Sequence, residues 1–386
     1  MKRQLVVIGG GFAGLTAALT AAEAGAEVTV HEAHGTLGGR ARTSPGPYRT
    51  NDGPHALYDG GPHWSWLKRR GLLRPLAPIP PAEGLRMRFH TGGTLRRFPP
   101  LGLVRLLRHR TAPSEETFLA WASRIVGPET AVAAAHYSAV ALFHHDPGGL
   151  SAAFVQERFR RSAMMPPEAH YPRGGWGTLI ARMADRARER GVVIETGSRI
   201  ESLAQLRGGP VVVATTLDAA RRLLKDPSLT WHSGRTALLD LALERRRDDA
   251  FVVADLEGPG WTERFTAQDP TLAPPGQSLI QAQFPIAPDE RKSDGLARAE
   301  RVLDLGFPDW RQRTLHFSDA VANARTGAVD PVGTTWRDRP AIDRGDDVYL
   351  AGDQVAAPGV LSEVSFTSAV EATRLALRTA DEPAVV

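Results

Sequence analysis

The chain has 386 residues, 42% of them hydrophobic and 23% charged, with a formal net charge of +4 at pH 7. This composition is ordinary for a globular protein, and because the length is too great for one compact core, two domains are expected. The chain contains no cysteine, which excludes disulfides, thiolate metal sites, cysteine nucleophiles and attachment of a cofactor through cysteine sulfur.

The first residues predict a strand, a helix and a second strand. Residues 5–8 form an apolar run typical of a strand buried on both faces. A helix of small residues is predicted at about 12–24, with Gly25 as the left-handed residue that ends it, and a strand at 27–31. The apolar run begins too early for a signal peptide to precede it. The sequence therefore predicts a cytoplasmic protein that does not span a membrane.

The turn after the first strand has a G-x-G-x-x-G pattern, Gly9-Gly10-Gly11-Phe12-Ala13-Gly14. Gly9 permits a tight turn, Gly11 lets the backbone approach a pyrophosphate, and Gly14 lets the helix pack closely on the strand. Glu32 follows the second strand, at the position where a carboxylate accepts hydrogen bonds from a ribose hydroxyl. Together these features predict a dinucleotide site, whereas the alternative is a glycine-rich turn beside a surface acid.

Positive charge is concentrated between residues 68 and 110, where Glu83 is the only acid. Within this stretch, residues 99–108 alternate apolar and basic positions in a way that suits peripheral contact with a membrane. The alternatives are an arginine-rich solvated face or a cationic entrance for a carboxylated substrate. Nucleic-acid binding is not expected, because no aromatic stacking platform is interleaved with the basic residues.

The remaining elements alternate between two patterns. Residues 64–167 are proline-rich and then helical, with a helix start predicted at 114–117 from a capping residue and acids in the first turn. The α/β pattern resumes with a helix at 178–190 and strands at 192–195, 199–203 and 211–214. A strand-rich section, including 236–243 and 278–284, precedes a closing strand at 347–353 and a helix that ends near residue 378.

This order predicts an α/β fold in which the dinucleotide-binding domain is of the Rossmann type and is assembled from separated pieces. The insertions predict a discontinuous substrate domain of mixed α+β structure. The predicted boundaries are 1–65, 171–235 and 335–386 for the dinucleotide-binding domain, and 66–170 and 236–334 for the substrate domain.

A second motif begins at Glu32 and Ala33 and contains the run Leu37-Gly38-Gly39-Arg40-Ala41-Arg42. It resembles the segment after the ribose-binding acid in the large flavoprotein family of amine oxidases, phytoene desaturases and protoporphyrinogen oxidases. The resemblance implies non-covalently bound FAD, with the glycine pair close to the cofactor and the arginines near its pyrophosphate and flavin. Backbone glycines beside arginines suit a dianionic pyrophosphate.

Other segments resemble the same family in chain order. Residues 51–55, Asn-Asp-Gly-Pro-His, are similar to the segment beneath the isoalloxazine ring, and 172–176 to the segment that returns the chain to the cofactor domain. Residues 197–200 are similar to the strand that contacts the adenine, and 350–353 to the closing Gly-Asp motif. The resemblance also implies that the last helix aims its positive N-terminal end at the flavin.

The predicted cofactor-binding residues combine both motifs with these segments. They are Gly9, Gly11, Phe12, Ala13, Gly14, Glu32, Ala33, Gly38, Gly39, Arg40, Arg42, Gly53, Pro54, His55, Arg199, Ile200, Gly352, Asp353, Leu361 and Ser362.

Candidate catalytic residues lie beside the predicted turns. His55 is a candidate general base or gate facing the flavin, with a hydrogen-bonded structural role as the alternative. Tyr58, Trp176 and Trp336 are candidates for lining the substrate cavity, although aromatic residues near such turns also serve as packing. No metal site is predicted, since the adjacent histidines at 144–145 point in different directions on a helix and have no partner cluster.

The sequence does not select one reaction among those that the family catalyses. Amine oxidases of the family usually carry an aromatic residue after the Gly-Asp motif, whereas residues 354–362 contain none; many also place a lysine near the flavin, whereas Lys292 is the only lysine between 236 and 325. The sequence favours an FAD-dependent dehydrogenase, desaturase or oxidase in which hydride passes from a hydrophobic or carboxylated small molecule to flavin N5. The alternatives are an amine or amino-acid oxidase and a non-redox FAD-dependent isomerase.

Overall fold

The computed structural model describes residues 3–53, 56–206 and 208–378, except for the side chains of Val140 and Arg325. The strands are β1 (Gln4–Ile8), β2 (Glu27–Glu32), β3 (Leu57–Tyr58), β4 (Leu76–Ala77), β5 (Met87–Thr91), β6 (Thr94–Arg96), β7 (Ala169–Pro172), β8 (Val193–Thr196), β9 (Val211–Val213), β10 (Ser233–Glu244), β11 (Val252–Asp255), β12 (Gly260–Arg264), β13 (Gln277–Pro285), β14 (Thr314–Ala328) and β15 (Val348–Leu350). The helices are α1 (Phe12–Glu23), α2 (Pro62–Arg69), α3 (Pro81–Gly84), α4 (Leu101–Leu106), α5 (Phe118–Val126), α6 (Pro128–Leu142), α7 (Ala152–Ala163), α8 (Trp176–Glu189), α9 (Leu217–Leu224), α10 (Lys292–Gly306) and α11 (Ser362–Leu377).

The first sheet is parallel and has the strand order β15-β9-β1-β2-β8. Its central strands are rich in valine and isoleucine, because a parallel sheet covered by helices is buried on both faces. Helices α1, α8 and α11 share one apolar core with this sheet, which also receives Trp66 and Leu67 of α2. The α/β architecture with a Rossmann-type sheet is therefore confirmed.

The direction of strand addition reverses between β1 and β9. The chain passes from β1 to β2 and β8 on one side, and later from β9 to β15 on the other. In open parallel sheets, ligands bind outside the carboxyl ends of the strands at such a reversal. The glycine turn after β1 and the segment after β9 therefore flank the expected ligand position.

The second sheet has seven strands in the order β14-β10-β13-β12-β11-β5-β6. Its neighbours are antiparallel, except that β11 and β5 run parallel. Helix α10 packs its apolar residues Val302 and Leu303 against one face of this sheet. Helices α4 to α7 form a separate core around Phe118 and Phe159, which are fully buried. The predicted division into two domains stays a prediction.

Two local predictions were wrong. The helix start predicted at 114–117 lies later, at Phe118, because the side chain of Thr117 caps the helix by accepting from the Ala120 N–H at 3.2 Å, while Ser114 bonds to Glu115. The strand predicted at 199–203 is not formed; Ser202 and Gln205 instead build a capping box around a single helical turn. At both places, local hydrogen bonds from side chains to the backbone determined the structure, and the apolar pattern of the sequence did not.

No helix in the described part of the chain is both long and apolar enough to cross a bilayer.

Candidate dinucleotide-binding and active site

A cavity of about 640 Å³ opens at the carboxyl ends of the first sheet. One part of its wall comes from the turns after β1, β2 and β9, and another from Thr236 and Leu238 of β10 in the second sheet. The volume lies within the range of cofactor and small-molecule sites. The predicted cofactor-binding residues on its wall are Gly9, Gly11, Phe12, Ala13, Glu32, Ala33, Gly38, Gly39, Arg40, Arg42, Gly53, Arg199, Ile200, Gly352, Asp353, Leu361 and Ser362.

The glycine turn is built so tightly that side chains are excluded from two of its positions. Gly9 has a φ of +108°, and a Cβ on it would lie 2.4 Å from the carbonyl oxygen of Ala214. A Cβ on Gly14 would lie 1.9 Å from the Gly9 carbonyl oxygen, so this glycine packs α1 against the turn rather than lining the cavity. No described side chain caps α1, and its first turn contains no acid. Because residues 11–13 line the cavity, the positive end of the helix faces it, as an anion site requires.

Glu32 ends β2 with its carboxylate almost completely buried at the cavity wall. Its Oε2 accepts from the Gly10 N–H at 2.8 Å, and its Oε1 accepts from the His34 N–H at 2.9 Å. The carboxylate thus fixes the glycine turn against the end of the neighbouring strand. The His34 Nδ1 also lies 2.8 Å from Oε1. Carboxylate oxygens accept up to about four bonds between them, so capacity for one ribose hydroxyl remains.

The segment predicted to contact an adenine lies directly beside Glu32. The Ser198 N–H donates to the Glu32 carbonyl at 2.8 Å, and the Gly197 N–H donates to the His34 carbonyl at 2.9 Å. These bonds bring Arg199 and Ile200 to the cavity wall.

The second glycine motif packs on the first one. The Gly38 N–H donates to the Gly10 carbonyl at 2.9 Å, and Gly38 has a φ of +114°. Two residues later, Arg40 forms a bidentate pair with Asp353 of the closing motif, with Nη1–Oδ2 at 2.5 Å and Nη2–Oδ1 at 2.7 Å. This planar pair joins distant parts of the sequence at the cavity wall.

The N-terminus of α11 also lies at the cavity wall. Leu361 precedes it with a φ of +55°, a conformation that L residues other than glycine rarely adopt and that is often found at functional sites. Glu363 in the first turn is buried, and its Oε2 accepts from the Val360 N–H at 3.0 Å. Burial raises the pKa of Glu363, while the neighbouring Arg161 opposes this rise.

The candidate catalytic residues occupy different places. Trp176 lines the cavity and meets the Phe12 ring edge-on, with centroids 5.6 Å apart. Tyr58 is buried outside the described cavity wall, 5.7 Å from the Arg161 guanidinium, and burial raises its pKa. Trp336 also lies away from that wall and packs on the neighbouring Arg337, with the guanidinium 4.3 Å from the ring. His55 and Pro54 lie outside the described residues.

Sequence reasoning missed residues of the inserted segments that reach the site. Arg158 of α7, Gln283 of β13 and Arg339 line the cavity. Gln283 donates to Gln281 at 2.7 Å, and Gln281 donates to Asp240 at 2.7 Å, so a chain of hydrogen bonds leads away from the cavity. The one available signal was Arg158, a charge on the apolar face of an amphipathic helix.

Comparison with known proteins agrees with this architecture. A family model described as an NAD(P)-binding Rossmann-like domain matches residues 7–72. No curated protein matches the sequence.

Solved structures match over nearly the whole chain at low sequence identity. An oxidoreductase from Methanosarcina mazei has a TM-score of 0.76 and 18% identity, covering 95% of this chain and 99% of its own. Cyclohexylamine oxidase from Brevibacterium oxydans has a TM-score of 0.73 and 16% identity, with 98% and 99% covered. Reduced UDP-galactopyranose mutase has a TM-score of 0.71 and 15% identity, with 99% and 97% covered. The resemblance inferred from the sequence is thus confirmed at the level of the fold.

Proposed function

We propose that the protein is an FAD-dependent oxidoreductase that takes hydride from a small organic substrate. The observation that carries this proposal is the cavity, which joins a dinucleotide cradle at the strand reversal to a wall of the second sheet. A cradle alone would fit any dinucleotide, whereas the additional wall provides a place for a second molecule beside it. Bound FAD would supply the hydride acceptor.

The residues that would hold FAD follow from the geometry. The N-terminus of α1 suits the pyrophosphate, Glu32 suits the ribose, and the segment 198–200 suits the adenine. Gly53 and the positive end of α11 would then lie at the flavin. A helix N-terminus there favours negative charge on a reduced ring.

The substrate would lie against side chains of the inserted segments. Leu142, Phe143, Leu238 and Ala322 give this part of the wall an apolar character, and Gln283 adds a fixed carboxamide. Apolar walls with a few polar groups orient a small molecule and exclude water from it. This composition supports a largely hydrophobic substrate.

Amine oxidation is supported less well. Val360, two residues before α11, is buried, and residues 354–362 contain no aromatic side chain that could cage an amine. Lys292 lies outside the described cavity wall, where it pairs with Asp319. Isomerisation without net redox change is a further alternative, because proteins that share a fold can catalyse different reactions. The titration described next distinguishes it from oxidation.

The test is anaerobic titration of the purified, flavin-containing protein with a polyene, a porphyrinogen and a primary amine. We expect the flavin band near ~450 nm to bleach when the polyene or the porphyrinogen is added, because hydride transfer reduces the flavin. Bleaching by the amine alone would reassign the protein to amine oxidation. Conversion of a substrate to a product of equal mass, with no bleaching, would replace redox chemistry by isomerisation.

We also propose peripheral contact with an anionic membrane through a basic–apolar surface formed by Arg97, Phe98, Leu101, Val104 and Arg105. Phe98 is 74% exposed, Leu101 86% and Val104 48%, and both arginines are exposed beside them. Large exposed apolar side chains flanked by arginines suit insertion into the headgroup region of anionic lipids.

Sedimentation with vesicles tests this contact. The protein is expected to sediment with phosphatidylserine vesicles more than with phosphatidylcholine vesicles, and Leu101→Ser should reduce the bound fraction. Val193→Ser is the matched control, since Val193 is 53% exposed on β8 of the first sheet, outside the basic–apolar surface. Equal loss from both substitutions, or no preference for anionic lipid, would contradict the proposal.

A further inference from the structure

Two arginines are buried in the cavity wall beside one aromatic ring. Arg158 of α7 and Arg339, which precedes β15, are each 4% exposed and both line the cavity. The Arg158 guanidinium lies 3.6 Å from the Phe154 ring centroid, and the Arg339 guanidinium lies 6.0 Å from it. The positive charge of Arg339 acts unfavourably on that of Arg158, so a negative partner at the cavity wall would stabilise both guanidinium groups.

The protein supplies only part of that negative charge. Arg339 forms a bidentate pair with the buried Asp330, with both distances 2.8 Å. Among the described residues, Arg158 forms an ion pair only with Glu157, at 3.1 Å, and the Glu157 side chain is 52% exposed. Glu363 is the other buried carboxylate nearby, but it contacts Arg161 at 2.6 Å.

The hydrogen bonds of Arg339 are also incomplete, and two of those made by Arg158 go to neutral oxygens. The Nη1 of Arg339 is buried and has no hydrogen-bond partner among the described residues. Arg158 donates to the Phe154 carbonyl at 3.1 Å and to the Gly359 carbonyl at 3.2 Å, so neutral backbone oxygens meet a full charge. Burial lowers the pKa of Arg158 to about 10 and Arg339 adds to the decrease, while Glu157, Asp330 and Glu363 oppose it only in part. An unpaired buried donor is unfavourable and points to an ion, water or ligand that would accept from it.

We propose that Arg158 and Arg339 form a subsite for an anionic group, a carboxylate or a phosphate, on the substrate. This inference rests on the proposed function and names the substrate class: a largely apolar molecule that carries one acidic group. The fixed fork of donors on a guanidinium matches the paired oxygens of such a group. The subsite lies by the start of α11, through the bond of Arg158 to Gly359, whereas the pyrophosphate cradle lies at α1.

Binding of benzoate, benzamide and phenyl phosphate to the purified protein tests the subsite by calorimetry and by perturbation of the flavin spectrum. Benzoate or phenyl phosphate should bind, and the uncharged benzamide should bind at least about 10-fold more weakly, the loss expected for a charged hydrogen bond. The better of the two anions identifies the acidic group. Similar affinities for all three compounds would overturn the proposal.

Substitution of the arginine tests the assignment. Arg158→Met keeps the apolar stem and should weaken anion binding by about 10- to 100-fold, while Arg158→Lys should restore part of it. Arg264→Met is the matched control, because this arginine is also buried and paired with a half-buried glutamate, Glu83, away from the cavity wall. It should leave anion binding unchanged.

The FAD content of each variant separates this inference from the proposed function. Loss of FAD from the folded Arg158→Met protein, with anion binding unchanged, would assign the arginines to the cofactor and overturn the subsite. A wild-type protein that binds no FAD contradicts the proposed function, while calorimetric binding of the anions to it would still support the subsite. If Arg158→Met does not fold, the subsite is tested by anion binding to Arg158→Lys and by the relative affinities of the wild type for benzoate and benzamide.

Discussion

At the scale of single residues, the site depends on carboxylates that serve the protein and the expected ligand together. Glu32 is the best example: its oxygens hold the N–H groups of Gly10 and His34, and it faces the cavity. Removing its charge therefore has two consequences, a weaker ribose contact and a looser glycine turn.

Glu32→Gln is expected to weaken FAD binding by about 10-fold, because an amide nitrogen would then face one of the two N–H donors and the charged acceptor would be lost. The measurement is a fluorescence titration of the apoprotein with FAD. Glu27→Gln, at the exposed start of the same strand, is the control and should leave the affinity unchanged. Equal affinities for the wild type and Glu32→Gln would contradict the assigned role.

The burial of Asp240 leads to a second prediction, which concerns the pH dependence of folding stability. Burial raises the pKa of Asp240 from 3.8 to about 6, although Gln281 donates to it and so opposes the rise. The folded state therefore holds the carboxyl proton of Asp240 more tightly than the unfolded state does. The stabilisation that comes from this protonation is lost as the pH rises from about 4 to about 6.

Asp240→Asn should consequently raise the midpoint of thermal unfolding at pH 8 and leave it unchanged at pH 4, where the aspartate is already neutral. Thermal scans at both pH values measure this. Asp185→Asn, an exposed change, serves as the control and should have no such dependence on pH. A lower midpoint at pH 8 would show that the charged form of Asp240 stabilises the fold.

At the scale of elements, the packing of α1 against β1 sets the position of the positive helix end. Gly14→Ala places a methyl group 1.9 Å from the Gly9 carbonyl oxygen, so the helix must shift away from the strand. We expect a loss of about 1–3 kcal/mol in the free energy of unfolding and impaired FAD retention. Urea denaturation measures the first effect. Gly35→Ala, where a methyl group meets no atom within 4 Å, should be nearly neutral.

The elements of the first sheet could be predicted because their patterns are local. An apolar strand, a glycine turn and a helix of small residues lie next to each other in the sequence, and β1 and α1 formed as expected. The helix start at Phe118 and the turn at 203–205 were missed, since short side-chain bonds to the backbone decided them.

The wall contributed by the inserted segments could not be predicted in the same way. Arg158 and Arg339 are far apart in the sequence, and neither belongs to a recognisable motif. Their meeting beside Phe154 depends on how α7 packs near the start of α11, which no local pattern encodes. The burial of Asp240 could not be predicted either, because it depends on the pairing of β10 with β13 and β14.

At the scale of the whole molecule, function follows from the junction of the two sheets. The first sheet supplies glycine turns and helix N-termini for a dinucleotide, and the second sheet and α7 supply the wall on which a substrate would rest. The same fold occurs in oxidoreductases and in a mutase. Whether the protein binds FAD therefore decides between the proposed function and its alternatives.

The most direct measurement is the absorbance spectrum of the purified protein, with chromatography of any cofactor that heat releases. We expect a yellow protein with flavin bands near ~450 nm. Heating should release intact FAD, and neither FMN nor a nicotinamide dinucleotide, because the cofactor is not covalently attached. A colourless protein that also fails to bind added FAD would contradict the central claim.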